Sequence, residues 1–309
     1  MIYILHIPNK ITIYNKKMNT NKEKNIKYLD GVDIIYWINL ERAKERREYM
    51  ENLLKDDVFI DMQCERFKAV DAKTTNVRNK FELIDDITSI NNRKTDAEYA
   101  CLLSHLETIR KFSETDHNVA LIFEDDLSLE YKKYWMKTIK EIINNAPKDW
   151  EIIKLTSFSG HRLHKLYTLW KPYLTFKPVN RREKSFRWKS NYWDVDFSSA
   201  AYLINNKGAK KLINELYHNN KYVLDNKSVH QADIIIYEKL KTYVYKYPYF
   251  TYRNNNNYSF ILGNAIEAEK GRYKKKKITN DMYKELFSHK KTRKNKIRKN
   301  KTRKNKTRN

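Results

Sequence analysis

The chain has 309 residues, of which 40% are hydrophobic, so it is long enough to bury a sizeable core in one large domain or two small ones. It contains only five glycines and five prolines, which excludes a repetitive or low-complexity chain. The formal net charge of +25 points to anionic partners, whereas the two cysteines, Cys64 and Cys101, exclude a disulfide framework or a cysteine metal cluster.

The N-terminal region precedes the first clear element. Its apolar stretch "MIYILHIP" is short and follows no basic segment, which makes it a poor secretory signal. Met18 is a plausible start of translation, and we expect residues 1–30 to be a disordered or wrongly assigned extension. The main domain is then expected to span residues 31–265, followed by a basic linker and tail over residues 266–309.

Strands and helices alternate after this extension. "DIIYWINL" is rich in β-formers and predicts a buried strand over residues 33–40, and "ERAKERREYMENLLKD" has apolar residues at helical spacing. "ERFKAVDA" predicts a short strand, and residues 73–94 are polar and irregular. Thr95 and Glu98 then form a capping box that predicts the start of a helix in "TDAEYACLLSHLETIRKF".

The second half continues the alternation. An apolar strand at residues 119–123 leads into a predicted helix over residues 129–146, and "DWEIIKLTS" predicts another strand. Residues 157–192 form a long basic, aromatic region, which in a compact domain is usually functional. "VDFSSAAYLI" and "TYVYKYPYF" predict strands, and "NNKGAKKLINELYHN" and "ADIIIYEKL" predict helices. This order predicts an α/β fold with helices on both faces of a sheet.

Three adjacent carboxylates, Glu124, Asp125 and Asp126, follow the buried strand at residues 119–123. In an open α/β sheet, ligands bind beyond the carboxyl ends of the strands. Adjacent carboxylates repel unless a positive group is near, and Mg²⁺ or Mn²⁺ prefers one or two carboxylates together with substrate phosphates. The motif therefore suits a divalent metal that arrives with a diphosphate, although acids at a solvated strand end or helix start give the same pattern.

Six short segments occur in a characteristic order along the chain. They are "WINLERAKERR", "KAVDA", "EYACLLSH", "ALIFEDD", "DWEIIKL" and "AAYLINNKGAKKL", and they are followed by Asp233, Pro248 and Ser259. Together they resemble glycosyltransferase family 25, which includes lipooligosaccharide and procollagen galactosyltransferases. The resemblance covers roughly residues 33–262, and it rests on the ordered set because no single segment is specific. Ala72 stands where the family usually has Gly.

The resemblance implies a single-domain, GT-A-type, Rossmann-like nucleotide-sugar-binding fold. It also implies an inverting, metal-dependent transfer of a hexose, galactose or glucose, from a UDP-sugar to a hydroxyl of a glycan or of hydroxylysine in a collagen-like protein. Glu124 and Asp126 would be the two ends of a D-x-D-type motif that holds Mn²⁺ or Mg²⁺, and Asp125 would face the sugar or ribose. The metal would bridge the diphosphate and stabilise the leaving UDP.

Other candidate donor-binding residues come from the first strand and from the helix with the capping box. Arg42 and Arg46 are four residues apart, so they would share a helical face and contact phosphate or form ion pairs. Asn39, at the strand tip, could bind the base or ribose, or cap the helix. Ser104 and His105 would line the site on the family match, whereas the pattern alone predicts a core histidine.

An inverting transfer needs a general base that takes the proton of the acceptor. Asp233 is the first candidate because the family places an Asp there, and Asp196 is the second. Asp196 shares a strand face with Asp194, so the two could instead form a rival metal site. Capping a helix or ending a strand in solvent are simpler interpretations of both candidates, and His230 could act as a third metal ligand.

Two other classes of function stay open. The last twenty residues carry twelve Lys and Arg and no acid, so the tail could contact nucleic acid or an anionic surface. A nucleic-acid-binding protein or a metal-dependent nuclease is therefore one alternative, and an inactive glycosyltransferase-like scaffold is another. The tail also resembles those on proteins of large AT-rich DNA viruses. No apolar run approaches the ~18 residues of a membrane helix, and we expect a cytoplasmic protein, in a host cell or virion if viral.

Overall fold

The computed structural model describes residues 26–84, 95–156, 198–225, 229–245, 247–253 and 281, and the backbone of residues 6–7, 10–11 and 176–178. Asp194, Asp196, most of the expected N-terminal extension and nearly all of the basic tail lie outside the described residues.

Fourteen strands and five α-helices occur in the described part of the chain. The strands are β1 (His6–Ile7), β2 (Lys10–Ile11), β3 (Ile34–Asn39), β4 (Cys64–Lys68), β5 (Phe81–Ile84), β6 (Val119–Glu124), β7 (Leu127–Ser128), β8 (Ile152–Lys154), β9 (Phe176–Pro178), β10 (Ala201–Asn205), β11 (Tyr217–His218), β12 (Lys221–Asp225), β13 (Thr242–Tyr245) and β14 (Thr251–Tyr252). The helices are α1 (Lys44–Leu53), α2 (Asp96–Ser113), α3 (Ile139–Asn144), α4 (Asn206–Leu216) and α5 (Ala232–Lys239).

A seven-stranded mixed sheet with the order β4-β3-β6-β10-β8-β13-β9 forms the centre of the fold. The pairs β4–β3, β3–β6 and β8–β13 are parallel, whereas β10 runs antiparallel to both of its neighbours, β6 and β8. The predicted α/β class is therefore confirmed, with one central strand reversed. Because of this reversal, the beginning of β10 lies at the same edge of the sheet as the ends of β3, β6 and β8.

The alternation of side chains along each central strand explains why helices cover both faces of the sheet. In β3, Tyr36 and Ile38 pack into one core, while Ile35 and Trp37 pack into the other. Buried residues of α2, α4 and α5 belong to the first core, and buried residues of α1 and α3 belong to the second. Near-continuous apolar strands such as β3 are therefore what a sheet covered on both faces requires.

Helix α2 begins as predicted. Thr95 accepts a hydrogen bond from the backbone N–H of Glu98, and the Glu98 carboxylate accepts one from the backbone N–H of Thr95. This capping box satisfies two donors that a helix start otherwise leaves unpaired. The helix thereby gains a fixed start, and its buried face places Ser104 and His105 beneath the end of β6.

The continuous helix predicted over residues 129–146 is wrong. The structure has a 3₁₀ turn at Lys132–Tyr134, and α3 begins afresh after its own capping residue, Thr138. Between them, the indole N–H of Trp135 donates to the carbonyl of Tyr249 at 2.6 Å, and the two rings stack with centroids 4.0 Å apart. Packing of this aromatic pair prevails over the helical propensity of the segment.

The expected N-terminal boundary at residue 31 is too late. Leu29 is buried in the second core, and the ring of Tyr28 contacts that of Trp135 edge-on at 5.4 Å. The carbonyl of Tyr28 also accepts a hydrogen bond from the backbone N–H of Ile139. The residues just before β3 therefore belong to the folded domain. No helix in the described residues is long and apolar enough to cross a membrane.

Candidate functional site

A pocket with a cavity volume of about 230 Å³ lies at the edge of the sheet where β3 and β6 end. Ile38 of β3 is in register with Glu124 of β6, so the residues that follow both strands are brought together. Seven of the residues selected from the sequence line this pocket: Arg42, Arg46, Ser104, His105, Glu124, Asp125 and Asp126.

Asp125 is held by two side chains from β3 and α1. The amide nitrogen of Asn39 donates to its Oδ2, and the guanidinium of Arg46 donates to its Oδ1, both at 2.7 Å. The side-chain oxygen of Asn39 in turn accepts from Nε of Arg66 at 3.0 Å. Asn39 is buried, does not line the pocket and does not cap α1, whose N-cap is Ala43. It therefore fixes the orientation of Asp125.

The pair formed by Asp125 and Arg46 is nearly enclosed, with 9% and 18% of the two side chains exposed. Burial raises the pKa of Asp125 above its ordinary value, although Arg46 and Asn39 oppose the change. Burial lowers the pKa of Arg46, but the three neighbouring carboxylates outweigh it, so the net pKa of Arg46 is raised. The guanidinium therefore stays charged and compensates a carboxylate that would otherwise be costly to bury.

Glu124 makes both of its contacts through one oxygen. The hydroxyl of Ser199 donates to Oε1 at 2.8 Å, and Nε2 of His105 lies 3.5 Å from the same atom. Burial would raise the pKa of Glu124, but His105, Ser199 and Arg46 together lower it below its ordinary value. Among the described residues, no hydrogen bond reaches Oε2. Glu124 is thus held as an ionised carboxylate with one oxygen available to a ligand.

Ser104 connects α2 to the loop that follows β4. Its hydroxyl donates to the carbonyl of Ala100 at 2.7 Å and accepts from the backbone N–H of Val70 at 2.9 Å. The residue lines the pocket, as the family match implied, and its hydroxyl also fixes the position of the "AVDA" loop. His105 is almost completely buried, and Tyr202 contacts its Nδ1 at 3.0 Å.

Arg42 and Arg46 do not share a helical face, because Arg42 lies in a turn before α1 begins at Lys44. Nε of Arg42 donates to Oδ2 of Asp71 at 2.5 Å, and both residues line the same pocket. The other oxygen of Asp71 accepts from the backbone N–H of Lys73. Asp71 and Lys73 also line the pocket but were not among the residues predicted from the sequence. The segment "KAVDA", which contains Asp71 and directly precedes Lys73, could have indicated them.

Asp126 lines the pocket, and its backbone is fixed from the C-terminal side of the domain. Its carbonyl accepts a hydrogen bond from the backbone N–H of Arg253 at 2.7 Å. The guanidinium of Arg253 pairs with Glu45 at 2.6 Å and lies 4.2 Å from the ring centroid of Tyr49. Arg253, the residue directly after β14, therefore ties the acidic motif to α1.

Asp233 lies in the first turn of α5 and does not line the pocket. Its Oδ2 accepts from the backbone N–H of Ser198 at 2.7 Å, and Ser198 has a positive φ of 96°. Burial, assisted by the nearby Glu124, raises the pKa of Asp233. Since Ser199 binds Glu124, the two consecutive serines join Asp233 to the acidic motif.

His230 is a core residue and not a metal ligand. Its Nδ1 contacts the hydroxyl of Tyr99 and its Nε2 contacts the carbonyl of Asp225, both at 2.7 Å. Both ring nitrogens are therefore occupied inside the protein. In the part of the chain that the structure describes, no group of three His, Cys, Asp or Glu residues could hold a metal unaided.

Comparison with known proteins identifies the family of this chain. The family model described as glycosyltransferase family 25 (LPS biosynthesis protein) matches residues 32–228. The chain belongs to glycosyltransferase family 25. The match includes β3, the "AVDA" loop, α2 and the acidic motif, so the pocket consists mainly of family residues.

Individual relatives in family 25 are distant and longer. Human procollagen galactosyltransferase 2 is 28% identical over 199 residues, and procollagen galactosyltransferase 1-A of Xenopus laevis is 29% identical over 189. These alignments cover 60% and 59% of this chain but 28% of either relative. A glycosyltransferase 25 family member of Aedes aegypti is 29% identical over 223 residues, which is 67% of this chain and 33% of that protein.

The alignments thus span a third or less of the length of these relatives. Among solved structures, apo mouse xyloside xylosyltransferase 1 aligns with 67% of this chain and 80% of its own at a TM-score of 0.30 and 12% identity. That likeness is too weak to inform the site.

Proposed function

We propose that this family 25 chain transfers a hexose, galactose or glucose, from a UDP-sugar to a hydroxyl group, with inversion and with the help of a divalent metal. The observation that carries the proposal is the pocket, where Glu124 and Asp126 occur beside Arg42 and Lys73. Carboxylates for a metal and cations for phosphate are the two chemistries that a metal-bound diphosphate requires. We expect the donor to bind in the GT-A manner, at the carboxyl ends of β3 and β6.

Glu124 and Asp126 are the residues we assign to Mn²⁺ or Mg²⁺. The donor set fits a hard cation: Oε2 of Glu124 has no hydrogen bond from the described residues, and Asp126 lines the same pocket. When bound, the metal would supply positive charge to the diphosphate as UDP leaves. Asp125, which Asn39 and Arg46 already bind, supports the motif and is not assigned as a ligand.

The cations of the pocket are assigned to the phosphates of the donor. Arg42 is already oriented by Asp71, and Lys73 follows in the same loop. Arg46 differs, because its guanidinium is bound to Asp125 and therefore holds the acidic motif in place. The apolar part of the pocket, which includes Ile38, Val70 and Ala100, is available to the uridine or sugar.

The acceptor is assigned by class only, as a hydroxyl of a glycan or of hydroxylysine in a collagen-like protein. The names of the procollagen galactosyltransferases support the second possibility. The nuclease alternative gains no support from the site, because Asp125 is bound within the protein and the described residues contain no group of three His, Cys, Asp or Glu that could hold a metal.

Binding of UDP tests the donor site directly. We expect isothermal titration of the full chain to show UDP binding that is at least about tenfold tighter with Mn²⁺ than with EDTA, since the metal links the carboxylates to the diphosphate. An absence of binding in both conditions would contradict the proposal and favour an inactive scaffold. Equal UDP affinity with Mn²⁺ and with EDTA would contradict the proposed metal dependence.

We also propose Asp233, the first candidate from the sequence, as the general base, although it does not line the pocket, and Asp233→Asn tests this role. We expect a fall of about a hundredfold in kcat with little change in UDP affinity, because a base acts in the chemical step. The Asn side chain retains an oxygen that can accept from the N–H of Ser198, so the melting temperature serves as the control. A normal kcat would exclude Asp233 as the base, and a large loss of stability would assign it a structural role instead.

A further inference from the structure

A buried chain of polar groups lies beneath the acidic motif. Tyr202 of β10 and His105 of α2 are almost completely inaccessible to solvent. The hydroxyl of Tyr202 lies 3.0 Å from Nδ1 of His105, and Nε2 of His105 lies 3.5 Å from Oε1 of Glu124. Among the described residues, Nε2 of His105 is one of two buried side-chain nitrogen or oxygen atoms that have no hydrogen-bond partner.

The contacts of Tyr202 decide which imidazole nitrogen carries the proton. Burial raises the pKa of Tyr202, so its phenol stays neutral and must donate its proton to an acceptor. Among the described residues, Nδ1 of His105 is the acceptor within reach. If Nδ1 accepts, the proton of the neutral ring is on Nε2.

The opposite tautomer would be unfavourable at both ends. A proton on Nδ1 would donate to the Tyr202 oxygen and leave the buried phenol proton without an acceptor. It would also place the lone pair of Nε2 against the carboxylate of Glu124, 3.5 Å away. A proton on Nε2 would instead lie beside Oε1 of Glu124, 3.5 Å from Nε2, to which the hydroxyl of Ser199 also donates.

We propose that Tyr202 and His105 form a positioning pair that fixes Glu124 through its Oε1 and leaves Oε2 for the metal-bound donor. The pair acts through Glu124, and Tyr202, unlike His105, does not line the pocket. The 3.5 Å separation between Nε2 and Oε1 is longer than an ordinary hydrogen bond, so a shift of a few tenths of an ångström would bring the two atoms into hydrogen-bond range. Partners of this kind, behind a metal ligand, typically change metal affinity by 10–100-fold. The role of the pair in donor binding rests on the proposed function.

Imidazole nitrogen NMR of the full chain, labelled with ¹⁵N-histidine, tests the pair without activity. At pH 8 and without metal, we expect His105 to be in the Nε2–H form, with its signal assigned from a His105→Gln variant. Tyr202→Phe removes the donor to Nδ1, so we expect a mixture of both tautomers. The same variant should weaken Mn²⁺ binding in the presence of UDP by about tenfold.

The matched control is Tyr222→Phe, which removes another buried phenol hydroxyl, one that donates to Glu107 at 3.0 Å. It should change neither the tautomer of His105 nor Mn²⁺ affinity. An Nδ1–H form in the wild type would overturn the proposal, and that measurement suffices even if Tyr202→Phe does not fold. Unchanged Mn²⁺ affinity in folded Tyr202→Phe would also overturn it. A wild-type protein that binds neither UDP nor Mn²⁺ would refute the proposed function. The tautomer of His105, measured by NMR, would still test the interaction between Tyr202 and His105.

Discussion

Asp126→Ala should lower the rate of sugar transfer about a thousandfold and leave the melting temperature within about 3 °C of the wild type. The large kinetic effect is expected because the variant removes one of the two carboxylates assigned to the metal. The small thermal effect is expected because Asp126 lines the pocket and its backbone carbonyl, which accepts from the N–H of Arg253, survives the substitution. Initial rates with UDP-sugar and differential scanning calorimetry measure the two quantities.

Asp116→Ala provides the matched control for this experiment. Asp116 is an exposed acid that precedes β6, whereas Asp126 follows it. Strand β6 is six residues long, so its two ends are about 20 Å apart at about 3.3 Å per residue. The control should therefore keep its activity. A normal rate for Asp126→Ala would remove this residue from the metal site, and equal losses in both variants would indicate a nonspecific effect of charge.

Arg46→Met should lower the free energy of unfolding by about 3 kcal/mol at pH 7. The substitution keeps the aliphatic length of the side chain but leaves the carboxylate of Asp125, which is 9% exposed, with Asn39 as its remaining donor. A buried charge that loses its partner is costly because it has already been removed from water. Urea denaturation monitored by circular dichroism measures the loss.

The pH dependence of that loss distinguishes an unpaired charge from a packing defect. Loss of Arg46 raises the pKa of Asp125 beyond the increase that burial already causes. A carboxyl whose pKa is raised in the folded state costs stability above that pKa, and the cost disappears as the pH falls towards the unfolded value of about 4. The deficit of Arg46→Met should therefore narrow on acidification. The double variant with Asp125→Asn should show a smaller, pH-independent deficit; an equal and constant deficit in both would contradict the ion-pair account.

Much of the site could be predicted because its residues follow apolar strands. The run of five apolar residues before Glu124 placed the acidic motif at a strand end, and the structure confirms that β6 ends there. The capping box at Thr95 likewise fixed the start of α2 and with it the position of His105. In both cases the signal is local, because a strand end or a helix start depends on neighbouring residues in the sequence.

Other features depend on contacts between distant segments and leave no local signal. Asn39 supports Asp125 across 86 positions of sequence. Ser199 reaches Glu124 because β10 runs antiparallel in a sheet whose other central pairs are parallel, a direction that the apolar pattern does not encode. The interruption before α3 similarly depends on Tyr249, more than a hundred positions after Trp135.

The hydrogen bond from Arg253 to Asp126 has a consequence for the order of events during synthesis. The family match ends at residue 228, yet β13 and β14 come later, and β14 pairs with β7 directly after the acidic motif. A nascent chain that has emerged only as far as α4 already carries all three carboxylates and Arg46, which binds Asp125, but it lacks Arg253, which binds the carbonyl of Asp126 and pairs with Glu45 of α1. Because such long-range contacts close late, we expect the acidic motif to reach its final arrangement only after Arg253 has emerged.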